Sequence, residues 1–213
     1  MSILTQLPAF GATRDRELLK DSTTFCYKET DKGPLHAHAF FPAEHPATIP
    51  TSLLIFFHGG FWDAYAATQF ATQCLHFAER GCVCIAAETR VSSRHQSSPA
   101  DAIEDAQDLI IAAKKNHETL GIDPQKVVLI GAAGGAFLAL HAAMSKHPRI
   151  DEGTDPRPQA LVLFSALVDT APGMDQAGRF ASRAEAKSLS PAKMMRRKLP
   201  PMLFLHGKND RIT

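Results

Sequence analysis

Apolar and polar positions change rhythm partway along this chain. Thr23 to Thr30 and Pro34 to Phe41 read as two short strands joined by Asp31-Lys32-Gly33, whose Asp and Gly suit a hairpin turn. From Thr51 the apolar runs become continuous. Ser52 to Phe57 (SLLIFF) shows no alternation, as a parallel strand covered on both faces requires. Cys82 to Ala87, Val127 to Ile130, Gln159 to Phe164 and Pro201 to Leu205 repeat that character. Between them the spacing is helical. One helix is predicted over about Ala66 to Arg80. A second is capped by Ser98 with Pro99 at its first position, and Ala102, Ile103, Ala106, Leu109, Ile110 and Ala113 line one side of it. Leu120-Gly121-Ile122-Asp123-Pro124 stops that helix, and a third runs from the turn after Ile130 to about Lys146. Strands alternating with helices predict an α/β fold with a mostly parallel sheet and helices on both faces.

Length and charge narrow the picture. The 213 residues suit one domain spanning 1–213, with 168–200 as a cap-like helical excursion over the carboxyl end of the sheet. A formal charge of +1, from 23 basic and 22 acidic residues, recommends neither nucleic acid nor an anionic membrane as partner. Small neutral substrates fit better. No apolar run approaches the ~18 residues of a membrane span, and Met1 to Phe10 lacks the basic start and apolar core of a signal peptide. The expectation is a soluble, cytoplasmic protein. Cys26, Cys74, Cys82 and Cys84 form no C-x-x-C pair, and Cys82 and Cys84 read as inert buried thiols.

Three polar groupings read as ordinary surface. His36 and His38 share a strand face, but no third ligand stands at a metal-binding spacing, so an exposed polar face is expected and no metal. Asp101, Glu104, Asp105 and Asp108 gather near a helix N-terminus, where the dipole favours a solvated acidic face over paired catalytic carboxylates. Arg196-Arg197-Lys198 is expected to be the wet face of the excursion and not a phosphate site.

Chemistry concentrates elsewhere. Val127 to Leu138 is an apolar strand running through a small-residue turn straight into a helix, in the frame Gly131-x-Ala133-x-Gly135. Glycines on both sides let the backbone fold tightly enough to hold the middle residue out of the turn, where a nucleophilic serine would stand. Here that residue is Ala133. His58-Gly59-Gly60-Phe61-Trp62 follows a buried strand, and its glycines allow backbone amides to approach a developing negative charge. The expected donors are the amides of Gly60, Phe61 and Gly134, with His58 bracing the loop. Asp210, in LHGKND after the last apolar strand, stands where an orienting acid belongs. His206 precedes that acid on the strand end and is not read as the general base.

FFHGGFW, ERGCVCIAAETRVSSRH, SPADAIEDAQDLI, LGIDPQKVVLIGAAGGAFLALHAA and SPAKMMRRKLPPMLFLHGKND together span about Leu53 to Asp210. They resemble the α/β-hydrolase superfamily, and within it the short-chain carboxylesterases and acetylesterases of the hormone-sensitive-lipase-like and carbohydrate-esterase-like groups. Members of those groups carry serine where this chain has Ala133, a tyrosine near Thr89, and a distal histidine on a further strand-loop-helix unit. No such unit is recognised in these 213 residues, so the last sheet strand and final helix are expected to be lacking. The resemblance implies hydrolysis of small carboxylic esters, acetyl or short acyl and including those of sugars, by a Ser-His-Asp mechanism without cofactor. With Ala133 the chain as written is expected to be nearly inert. The competing expectation is a non-catalytic binding or assembly protein, a pseudo-esterase that retains the pocket and oxyanion hole. A lactone or dienelactone hydrolase, usually with a cysteine nucleophile, is disfavoured because no Cys lies at the turn. The implied partner is a small-molecule ester, and a homo-oligomer stays open.

Overall fold

A computed structural model describes residues 7–43, 49–145, 154–171, 178–195 and 198–213, with side chains from residue 13 onward. β1 (Thr23–Thr30) and β2 (Gly33–Phe40) form the expected antiparallel hairpin, closed by a Thr30–Gly33 pair. They join β3 (Thr51–Phe57), β4 (Val83–Ala87), β5 (Ile122–Ala132), β6 (Ala160–Phe164) and β7 (Met202–Leu205) in one seven-stranded sheet, ordered β1-β2-β4-β3-β5-β6-β7. β2 pairs antiparallel with β4, and the remaining pairings are parallel. From β3 the chain first adds β4 on one side and then β5 on the other. Sheets of this kind bind ligands at the carboxyl ends of the strands flanking such a reversal.

The unbroken apolar run of β3 follows from burial on both faces. Leu53, Ile55 and Phe57 point into a core with Leu129, Leu109 and Phe137, while Leu54 and Phe56 point the other way, against Phe70, Cys74 and Ile130. α4 (Pro99–Lys115) and α6 (Gly134–Met144) cover the first face. A 3-10 turn (Ala67–Phe70) and α2 (Ala71–Ala78) cover the second. α4 begins with a capping box: Asp101 N donates to Ser98 Oγ (3.3 Å), and Ser98 N donates to Asp101 Oδ2 (2.8 Å).

Several local expectations change. The helix foreseen over 66–80 is split into the 3-10 turn and α2. A helix α1 (Leu7–Leu18) appears where the sequence shows no stripe of apolar residues. β5 begins at Ile122, five residues before its apolar run, because Ile122 pairs with Thr51. Cys84 is buried as expected, but Cys82 is partly exposed.

The acidic face of α4 is only partly solvated, through Asp101 and Glu104. Asp105 is fully buried and Asp108 nearly so. Lys28 Nζ lies 2.8 Å from a carboxylate oxygen of each, and Arg90 donates to Asp105 through Nε (2.9 Å to Oδ2) and Nη2 (2.7 Å to Oδ1). Arg90 also reaches Asp101 and Glu104, both at 3.2 Å. These carboxylates tie α4 to β1 and to the segment after β4, since buried charges need partners.

His36 and His38 likewise do not form an exposed face. His38 is buried, and both rings turn to Glu88 at the end of β4.

The excursion carries two more short helices, α3 (Ser92–His95) and α5 (His117–Leu120) having preceded it: α7 (Arg183–Ser188) and a 3-10 turn, Pro191–Lys193. Thr170 Oγ1 donates to Ala186 O and Ala192 N to Val168 O, while His141 on α6 meets Leu189 O at 2.7 Å. Arg196 and Arg197 lie outside the described residues.

Candidate active site

β3 and β5 are neighbours, with Phe57 opposite Gly131, so the segments leaving their carboxyl ends start side by side. The turn after β5 is forced close to the strand beside it. A Cβ on Gly135 would overlap the carbonyl oxygens of Phe57 and His58, and one on Gly131 would overlap the backbone of Gly135. Between them Ala133 sits at φ 47, ψ −109, a conformation that L residues rarely adopt. Its amide donates to Phe164 O at 2.9 Å, and α6 starts at the next residue.

The segment after β3 is bent just as sharply. Gly60, Phe61 and Trp62 have φ of 104, 51 and 61. The Gly59 amide donates to Gln69 Oε1 (2.7 Å), which pins the loop to the following 3-10 turn. His58 Nδ1–H donates to Gly59 O at 2.6 Å. Burial pushes the His58 pKa down, only partly offset by that bond, so the ring is neutral and braces its own loop. Its Nε2 is buried without a partner. A Cβ at Gly134 would lie 3.1 Å from Phe61 Cα and 3.4 Å from Trp62 Cε2, which measures how closely the two segments meet. Among the described residues no protein group pairs with the amides of Gly60, Phe61 or Gly134.

Asp210 follows β7, two strands from the turn at Ala133, at the same end of the sheet. Its Oδ2 accepts from Thr213 Oγ1 (2.7 Å), and Oδ1 accepts from the amides of Thr213 (3.1 Å) and Ile212 (2.8 Å). These bonds, the Thr213 hydroxyl first, hold its carboxyl far below the usual range, with the Ser165 hydroxyl adding a smaller pull. Ser165 itself leaves β6 at φ 42, and its amide donates to Leu205 O. His206 Nε2 lies 3.5 Å from Asp210 Oδ2.

A second carboxylate was not foreseen. Glu88 leaves β4 beside the His58 loop. It accepts from Tyr65 OH, from His38 Nε2 (3.0 Å) and from the amide of His36 (3.1 Å). Burial raises its pKa, but these hydrogen bonds outweigh that effect and bring it to about 2. Tyr65 is thereby fixed, with Arg94 stacked on its ring at 3.5 Å. The alternating histidines of β2 were the available signal, but their partner is distant in sequence. Thr89, where the resemblance places tyrosine, is buried. No group of three or more His, Cys, Asp or Glu among the described residues is placed to hold a metal ion, and no helix there is long and apolar enough to cross a membrane.

Comparison with known proteins agrees with this fold. Residues 54–210 match the family described as alpha/beta hydrolase fold. Esterase LipC of Mycobacterium tuberculosis is 27% identical over 184 residues, which cover 76% of this chain and 45% of that protein. The chain thus spans less than half the length of this curated relative. Two solved structures of Thermogutta terrifontis esterase 2 are similar over 91% of this chain and 74% of theirs. The apo form has a TM-score of 0.83 at 32% identity, and the propionate-bound form 0.82 at 31%. With the match covering well over half the sequence, and esterases as its relatives in both sequence and structure, the chain belongs to the α/β-hydrolase fold family.

Proposed function

We propose that this site is built for hydrolysis of small carboxylic esters, with position 133 as the nucleophile position. The amides of Gly60, Phe61 and Gly134 would hold the oxyanion, and Asp210 would orient the general base. The observation that carries the reading is Ala133 held at φ 47 between two glycines that admit no Cβ, against a loop whose own amides have no protein partner. Strain of that kind costs on the order of 1–3 kcal/mol per residue and persists where a fold must present one atom. Ala133 carries only hydrogen on Cβ where serine would carry a hydroxyl, so attack on a carbonyl has no nucleophile. The loss of a serine nucleophile costs about 10⁶-fold in turnover in a well-characterised protease.

The test is p-nitrophenyl acetate turnover by the chain as it stands and by Ala133→Ser on the gene's full reading frame. The first should stay close to the buffer rate and the second should rise by several orders of magnitude. In that background His206→Ala separates a base at the β7 end from one outside residues 1–213, and the reading expects His206→Ala to retain turnover. A full-frame Ala133→Ser variant at the buffer rate, while small esters still raise the melting temperature, favours the second reading. That reading is a pseudo-esterase that binds without hydrolysing, and it rests on the same intact architecture around an alanine.

A further inference from the structure

Beside the segment after β3 lies a cleft of about 130 Å³, lined by Phe61, Trp62, Asp63, Ser92, Ser97 and Arg179 among others. Two of its lining residues, Phe61 and Trp62, also lie against Gly134, the residue after Ala133. Two of its lining residues carry buried polar atoms without a partner. Trp62 Nε1 is buried without a partner, on a side chain only 5% exposed, and Ser97 Oγ is buried without one as well. Arg179 spends one N–H on Phe61 O (2.8 Å) and lies against the Phe61 ring at 5.7 Å. Among the described residues it makes no ion pair, which leaves most of its five donors and its whole charge uncommitted. The first turn of α4, a 17-residue helix, reaches the same wall through Pro99.

We infer that this cleft is a carboxylate subsite, and that the ester it serves carries a free carboxylate, as a monoester of a short dicarboxylic acid does. The inference rests on the ester-hydrolase reading of the neighbouring turn. A guanidinium takes a carboxylate through paired N–H donors. The cleft, of about 130 Å³, has room for a terminal carboxylate with its methylene. Asp63, the one acid in the lining, has Oδ1 engaged by Ser92 Oγ at 2.6 Å. The ligand carboxylate therefore belongs on the Arg179 side. A neutral ester would leave that charge unmatched and gains nothing from it.

Ala133 makes the experiment an equilibrium measurement, because no serine stands at the turn to consume the ligand. Trp62 is the only tryptophan in the sequence, so its fluorescence reports on this cleft directly. The full chain is titrated with monoethyl succinate and with ethyl succinamate, its neutral carboxamide counterpart. The charged ester should bind about tenfold tighter or better, as expected for charge-assisted hydrogen bonds. Arg179→Gln should erase that preference and leave affinity for the neutral ester in place, while Arg179→Lys keeps part of it. Melting curves confirm that each variant folds. Equal affinity for the two esters, or a preference that survives Arg179→Gln, overturns the carboxylate subsite and leaves the ester reading standing. If neither ester binds, at a fluorescence or a melting readout, the ester reading fails and the subsite with it.

Discussion

Ala133, Phe61 and Trp62 share an uncommon property: each is a non-glycine residue at positive φ, and all three stand at the carboxyl ends of adjacent strands. Each such conformation costs on the order of 1–3 kcal/mol and must be imposed by its surroundings. For Ala133 the surroundings are Gly131 and Gly135, and their absence of side chains is what permits the turn. Gly135→Ala is therefore expected to destabilise the fold by more than about 3 kcal/mol, because its Cβ would meet rigid backbone at Phe57 and His58. Gly59→Ala should cost about 1 kcal/mol or less, since its Cβ would meet Ala132 O and Gln69 Oε1 at an ordinary 3.5 Å. Urea unfolding of the two variants checks the contrast, and similar losses would mean the turn is less constrained than its geometry implies. These positions were legible in the sequence because glycine at a fixed spacing between strand and helix has a local steric meaning. Tyr65, Gln69 and Arg179 were not, since each acts by touching a loop that lies elsewhere in sequence.

At the level of elements, α4 shows where reading by period succeeds and where it stops. Its cap at Ser98, its Pro99 start and its apolar stripe are local signals, and all of them appear as expected. Its acidic residues could be assigned only by default to solvent, because nothing in the helix itself announces Lys28 on β1 or Arg90 after β4. Asp105 is the centre of that network. Asp105→Ala would leave Arg90 and Lys28 facing a gap, and breaking a buried pair in this way costs about 3–5 kcal/mol. Thermal unfolding should show the loss, whereas Lys20→Ala, removing an exposed pair with Glu17, should leave stability nearly unchanged. Equal effects would return the acidic face to the solvent-exposed role that the sequence alone suggested.

Across the whole molecule, His141 and Glu88 are two of the groups through which stability responds to acid. Burial lowers His141 on α6 from 6.5 to about 4, against a smaller opposing effect of its bond to Leu189 O. Glu88 falls from 4.5 to about 2. Both folded values lie below the unfolded ones, so in each case stability is full above the unfolded value and is lost as pH falls through the folded one. Unfolding free energy should decline between about pH 6.5 and 4 through His141, and again between 4.5 and 2 through Glu88. His141→Gln should flatten the upper part of the curve and Glu88→Gln the lower part. Denaturant titrations at pH 7, 5 and 3 measure both, and an unchanged profile in either variant would remove that group from the account. At the far side of the sheet, β7 leaves Leu203, Phe204 and Leu205 substantially exposed, at 53%, 50% and 42%. Large apolar side chains on a sheet edge are where a fold is open to further association. The amino-acid sequence by itself determined the alternation of buried strands and helices, the hairpin, the α4 cap and the frame that holds Ala133, because each depends on neighbours within a few residues. The tertiary structure alone decided that the loop after β3 lies against the turn after β5, that α4's acids face inward, that Glu88 collects the β2 histidines, and that Arg179 reaches Phe61. Those contacts join residues far apart in the chain, and only strand order and crossover geometry bring them within hydrogen-bonding distance.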